Sequence, residues 1–198
     1  MTKKSTVQFQ AGMSLPTFLD RFGTEAQCRE VVFQQRWPHG FQRTSCGSRS
    51  HCRPDTRDLL PCNRCKHQVS PTAGTLFAQT KLPLKTWFLA IYLLSQHKNG
   101  IWAMTLSRRL GVSCNTAWLL KHKLMQAMVE GEHDRMLHGV VQMDDAYHAI
   151  KGKYLQRYLS EFCYRFNRRF DLAGLVTQLI LTATRTQPLP YRLAALDA

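Results

Sequence analysis

The stretch from Phe41 to Pro71 is polar and rich in turn residues, with Cys46 and Cys52 towards one end and the CNRC sequence of Cys62 to Cys65 towards the other. A segment this short cannot hold small hairpins together by apolar burial alone, so something must staple it. Cysteines two residues apart have the knuckle spacing that offers two thiolates to one tetrahedral zinc ion. Cys62 and Cys65 form one such knuckle. Cys46-Gly47 reads as the second half of another, but the position three residues upstream is Arg43, whose guanidinium cannot ligate a metal. The candidate zinc ligands are therefore Cys46, Cys62 and Cys65, with Cys52 or His51 completing a rearranged set. Without a fourth ligand the ribbon is weakened, because structural zinc supplies folding energy that so small a module otherwise lacks.

Charge narrows the partner. The chain has 198 residues and a formal net charge of +14, an excess that attracts polyanions and makes nucleic acid the first candidate. From Leu59 to Val129 there are nine Lys or Arg residues and no Asp or Glu, so no metal-binding or catalytic carboxylate can come from that segment. The Lys3-Lys4 start is followed by the polar VQFQAG, not by the apolar core of a secretory leader. No apolar run reaches bilayer length. These features predict a cytoplasmic protein whose seven cysteines serve as thiols and ligands, not as bridges.

The apolar pattern is mainly helical. Thr24 and Gln27 form a capping box that starts a helix over 25–36, with Cys28, Val31 and Val32 facing inward and Pro38 and Gly40 ending it. Leu82 to Gln96 has Pro83 near its first turn and Trp87, Ile91 and Leu94 on one stripe. Between Thr105 and Met128 a short helix ends at Gly111 and Ser113 caps a second, whose apolar positions include Trp118, Leu119, Leu120, Leu124 and Met128. That outline suits a helix-turn-helix. Asn115 and Thr116 are then candidates for base edges, and Arg108, Lys121, His122 and Lys123 for phosphates.

FGTEAQCREVVFQQRWPHGF, CNRCKHQVSPTAGTLFAQTKLPLKTWFLAIYLLSQHKNG, LSRRLGVSCNTAWLLKHKL, VVQMDDAY and YLQRYLSEFCYRFNRRF follow one another along the chain. In sequence and order they resemble bacterial insertion-sequence transposases of the IS1595 group, which have an N-terminal zinc ribbon and an ISXO2-like catalytic domain. The resemblance runs from Phe22 onward. It implies an RNase H-like core in which acidic residues hold two divalent metals, Mg2+ or Mn2+, that activate a nucleophile and stabilise charge on the scissile phosphate. Carried to this chain, the first metal-binding aspartate is Asp144, and Asp145 is its acidic neighbour in the same motif. The family's later ligands lie on elements that this sequence lacks: the closing YLQRYLSEF begins ten residues after Asp144, and 54 residues remain in all. The middle of the core is missing, with a junction near Ala146 or Tyr147.

The expected fold is a small multi-module α+β protein: an N-terminal helical segment (1–37), a zinc-ribbon-like module (38–78), a helical DNA-binding module with a helix-turn-helix (79–130) and a truncated RNase H-like remnant (131–198). In the remnant, Leu155, Leu159, Phe162 and Phe166 form an apolar face that needs a partner, whereas Glu161 suits salt bridging or solvation. Arg165, Arg168 and Arg169 form a basic end that could contact DNA or serve as a solvated face. The segment LAGLVTQLILTA is a further piece of core left without its sheet.

The resemblance therefore implies a protein that binds double-stranded DNA at insertion-element ends and has no functional magnesium site of its own. It would be associated with the bacterial nucleoid when bound to DNA, and open to self-association or to mixing with full-length transposase. A regulator of transposition, a non-functional remnant and an enzyme active by complementation are the alternatives.

Overall fold

The computed structural model describes residues 12–42, 46–52, 59–97, 100–132 and 152–195. In chain order the elements are α1 (Leu15–Phe22), α2 (Glu25–Arg36), β1 (Leu60–Pro61), β2 (Gln68–Val69), α3 (Leu84–Gln96), α4 (Ala103–Leu110), α5 (Cys114–Gly131), α6 (Gly152–Asn167), α7 (Leu175–Arg185) and α8 (Tyr191–Ala195). Among the described residues the sheet consists of β1 and β2 alone, so the expected α+β class narrows to a mostly helical protein carrying one small hairpin. Val140 to Asp144, the strand-like part of the expected core, lies outside the described residues.

Local chemistry explains where the helices begin. At α2 the expected capping box is present: the Gln27 backbone N–H donates to Thr24 Oγ1 at 3.2 Å and the Thr24 N–H donates to Gln27 Oε1 at 2.9 Å. Cys28 and Val32 point into the core, and burial pushes the Cys28 thiol up to about 12, which keeps it a neutral packing group. Helix α3 begins after Pro83, and its first amides donate to Glu25, Leu84 N–H to Oε1 at 2.9 Å and Lys85 N–H to Oε2 at 3.0 Å. One carboxylate thus starts α2 and caps α3, fixing the angle between them. Helix α1 was not anticipated. Its signals are Ser14, whose Oγ accepts from the Thr17 N–H at 3.2 Å, and Pro16 in the first turn.

Trp87, Phe88, Ile91 and Leu94 of α3 are buried, and around them gather Phe18 and Phe22 of α1, Leu120, Leu124 and Met128 of α5, and Leu175, Leu179 and Ile180 of α7. This apolar cluster is continuous from Met13 to Ala183 and crosses the position at 130 where the remnant was expected to start. The segment expected to be without a partner is therefore central. Its apolar residues 175, 176, 179, 180 and 183 recur at helical spacing, and as α7 they pack on α2, α3 and α5.

Helix α6 corrects a second expectation. It packs along α5, but with the face formed by Arg157, Glu161, Tyr164 and Arg165, all buried. The apolar face proposed from spacing is turned outward: Leu155 and Phe166 are 38% and 42% exposed, and Leu159 and Phe162 are half-buried. Spacing alone favours the apolar stripe. The outcome differs because α5 offers polar partners for the polar one, Lys121 to Glu161 and Gln126 to Arg157.

Candidate functional site

The ribbon is anchored to the helical body by aromatic rings. Phe33 and Trp37 at the end of α2 lie 5.0 Å apart, Trp37 and Phe41 are also 5.0 Å apart, and the His51 ring sits 4.5 Å from Phe41 and 5.8 Å from Phe33. From this anchor His51 forms an antiparallel bridge to Cys62, and β1 pairs with β2 in the register Leu60 to Val69 and Pro61 to Gln68. Each cysteine turn ends in a residue with left-handed backbone, Gly47 after Cys46 (φ 66°) and Lys66 after Cys65 (φ 58°). Glycine adopts that conformation freely and lysine rarely, so the second knuckle is held by its own bonds, including Lys66 N–H to Cys62 O at 2.9 Å and Cys62 N–H to His67 O at 3.0 Å.

These turns converge three sulfurs. Cys46 Sγ lies 3.6 Å from both Cys62 Sγ and Cys65 Sγ, and all three lie within 4.8 Å of one another. Tetrahedral zinc with bonds of about 2.3 Å requires sulfurs separated by about 3.8 Å, so the set fits zinc. Backbone N–H groups of Cys65 and then Arg64, with help from the Ser48 and Cys46 side chains, hold the Cys62 thiol down at about 6 against the effect of burial. That favours the thiolate, the form that binds metal. Neither expected fourth ligand joins the three. Cys52 is exposed and its thiol donates to Asn63 Oδ1 at 3.0 Å, while His51 belongs to the aromatic anchor. Arg43 lies outside the described residues.

The second candidate surface is the hairpin of α4 and α5. Helix α4 ends at Gly111, which has left-handed backbone (φ 67°), and Ser113 Oγ accepts from the Thr116 N–H at 3.2 Å to start α5. Asn115 is exposed on the first turn of α5 and Arg108 is exposed on the last turn of α4. Thr116 is half-buried and its hydroxyl is 2.8 Å from the Ser113 hydroxyl, within the cap. Lys123 is half-buried, and burial lowers its pKa.

Of the residues expected to contact DNA, Lys121, His122 and Arg165 are buried and Arg168 is paired inside the protein. Lys121 is 4% exposed; its ammonium donates to Ile101 O at 2.8 Å and lies 3.7 Å from Glu161 Oε2. Burial lowers its pKa and Glu161 opposes that shift. Arg165, one helical turn along α6, is 3.7 Å from Glu161 Oε1 and donates to His97 O. Gly100 has left-handed backbone (φ 74°), and a Cβ there would approach Glu161 Oε1 at 3.1 Å. Lys121 therefore helps lock α5, α6 and the link between α3 and α4. Arg168 is likewise used internally: it donates to Glu132 and to Tyr164 O, with its guanidinium 3.8 Å from the Tyr164 ring centre. Of the two roles that the sequence leaves open for Glu161, salt bridging and solvation, the structure shows the first, with partners the sequence does not name. A signal was present, since Lys121 shares the helical stripe of Ala117, Leu124, Met125 and Met128.

Asp144 and Asp145, the acidic positions of the transposase motif, lie outside the described residues. Arg169 is half-buried and rests between Phe166 and Phe170.

The cysteine cluster and its helical anchor define the class of the N-terminal module. Residues 23–68 match the family model of the transposase zinc-ribbon domain, a span that includes α2, the aromatic anchor and both cysteine turns. A relative of wider reach is an uncharacterized protein in transposable element ISH50 of Halobacterium salinarum, 25% identical over 137 residues, which is 67% of this chain and 45% of that protein. The chain thus spans less than half the length of the curated relative that it matches. No solved structure matches. Both likenesses are to insertion-element proteins and support the resemblance to IS1595-type transposases. Among the described residues, no helix is long and apolar enough to cross a membrane.

Proposed function

We propose that this transposase-derived chain binds double-stranded DNA, with insertion-element ends as its target, and does not cut DNA on its own. The observation that carries the reading is the capped hairpin of α4 and α5. Its buried side is locked to α6, whereas Arg108 and Asn115 are exposed at the turn end. In the manner of a helix-turn-helix, the first turn of α5 enters the major groove, Asn115 meets a base edge and Arg108 a phosphate. The zinc ribbon adds a second contact, with Cys46, Cys62 and Cys65 as ligands and Cys52 released from Asn63 to complete the tetrahedron. The catalytic reading rests on the sequence: YLQRYLSEF begins ten residues after Asp144, which leaves no room between the two motifs for the elements that carry the family's later acidic ligands. A chain that occupies element ends without cleaving them competes with complete transposase, which is the regulatory form of the same proposal.

The test is a titration of purified protein against duplexes carrying the element's terminal inverted repeat or a scrambled sequence. Asn115→Ala should reduce discrimination between them by about 1–3 kcal/mol. Arg108→Gln should weaken both complexes and lower the salt slope by about 1. Unchanged discrimination and salt slope in both variants would remove the hairpin from the interface. Metal-dependent nicking that is abolished by Asp144→Asn would overturn the proposed inactivity.

A further inference from the structure

At the outer end of α6 lies a group of rings that neither the core nor the α4–α5 hairpin uses. Phe162 and Phe166 are stacked, with centres 5.7 Å apart and planes 18° apart. Beyond the helix, the Arg169 guanidinium lies 4.1 Å from the Phe166 ring centre and 4.5 Å from that of Phe170. Arg169 Nη1 donates to Phe166 O at 2.8 Å, which holds the cation between the two rings. Phe166 is 42% exposed and Phe170 is 55% exposed. Among the described residues, no carboxylate is paired with Arg169, although Arg165 and Arg168 nearby are both committed to glutamates. The result is a surface ladder of ring, ring, cation and ring on a chain whose net charge is +14.

We infer that this ladder is a stacking platform for unpaired bases of single-stranded DNA, with a base on Phe170 and the strand's phosphate drawn to Arg169. Exposed aromatic faces interleaved with arginine are the physical requirement for sequence-tolerant single-strand binding, because every base has a π-face and every nucleotide a phosphate. A purely apolar partner gains nothing from a buried cation, whereas the positive charge favours a polyanion. The choice of DNA rests on the reading of the chain as transposase-derived. The surface itself is separate from the hairpin proposed for duplex DNA.

The experiment is fluorescence anisotropy of a labelled oligothymidine, an oligouridine and a random-sequence duplex, each titrated with the full chain and with Phe170→Leu, Phe170→Trp and Arg169→Gln. Leucine keeps an apolar side chain but removes the π-face, so Phe170→Leu should weaken oligothymidine binding roughly 5- to 100-fold. Phe170→Trp should retain binding and show tryptophan quenching as the strand is added. Arg169→Gln should reduce the salt dependence for the single strand, and duplex affinity should stay unchanged in Phe170→Leu and Phe170→Trp. Equal single-strand affinity of Phe170→Leu and the parent chain overturns the proposal, as does an equal loss on duplex. Tighter binding of oligouridine than of oligothymidine also overturns it. If Phe170→Leu instead lowers the sedimenting mass, the ladder is an interface between copies. Failure of the duplex reading would appear separately, in the Asn115 and Arg108 variants.

Discussion

Glu161 shows how one side chain governs its surroundings. It is 1% exposed, with Lys121 on one side and Arg165 on the other. A buried ion pair is weak grounds for added stability, but removing one partner leaves an uncompensated charge in the interior. Glu161→Gln keeps the shape and removes the anion between two cations. It should therefore destabilise the protein by about 3–5 kcal/mol, read as a lower denaturation midpoint. A change below about 1 kcal/mol would mean that water reaches and screens the group. The same geometry removes Lys121 from the DNA-contacting set, because an ammonium bonded to Ile101 O inside the protein cannot also meet a phosphate.

At the scale of elements, the ribbon and the helices draw on different sources of stability. Phe41, Leu60 and Cys62 are buried within the ribbon but stand outside the apolar cluster that runs through α1, α3, α5 and α7. The hairpin of β1 and β2 is only two residues long on each side, too short to stand by itself. Zinc should therefore be present at about one ion per chain, and Cys62→Ser should abolish it. The helical circular-dichroism signal should survive that substitution, since α3 to α7 keep their packing. Retention of zinc by Cys62→Ser would place the ion elsewhere, and loss of the helical signal would mean that the helices depend on the ribbon. The converging sulfurs could be anticipated from the CNRC spacing and Cys46-Gly47, because a knuckle is a local turn. The position of Cys52 could not, because it depends on how the chain returns to Asn63.

For the whole molecule, the contact between α5 and α6 sets the response to acid. His122 is buried against Trp118, Tyr154 and Tyr158, and burial, then the positive charges of Arg157 and Lys121, push its pKa down to about 4 from an ordinary value of 6.5. The unfolded chain thus binds the proton more readily than the folded one between those values. The stability contributed by neutral His122 is complete above about pH 6.5 and is lost as pH falls towards 4, a total on the order of 3 kcal/mol. Thermal melts across that window should show the decline, and His122→Gln should flatten it. An equally steep decline in the variant would assign the acid response to other groups. By itself the sequence determined the capped starts of α2 and α5, the inward stripe of α3, the cysteine knuckle and the basic excess, because caps, helical period, turn spacing and net charge are local or additive. Only the tertiary structure decided that α6 turns its charged stripe inward and leaves Phe166 and Phe170 exposed. The reason is that the face a helix buries depends on what the facing helix offers, and here α5 offers Lys121 and His122 where an apolar surface was expected.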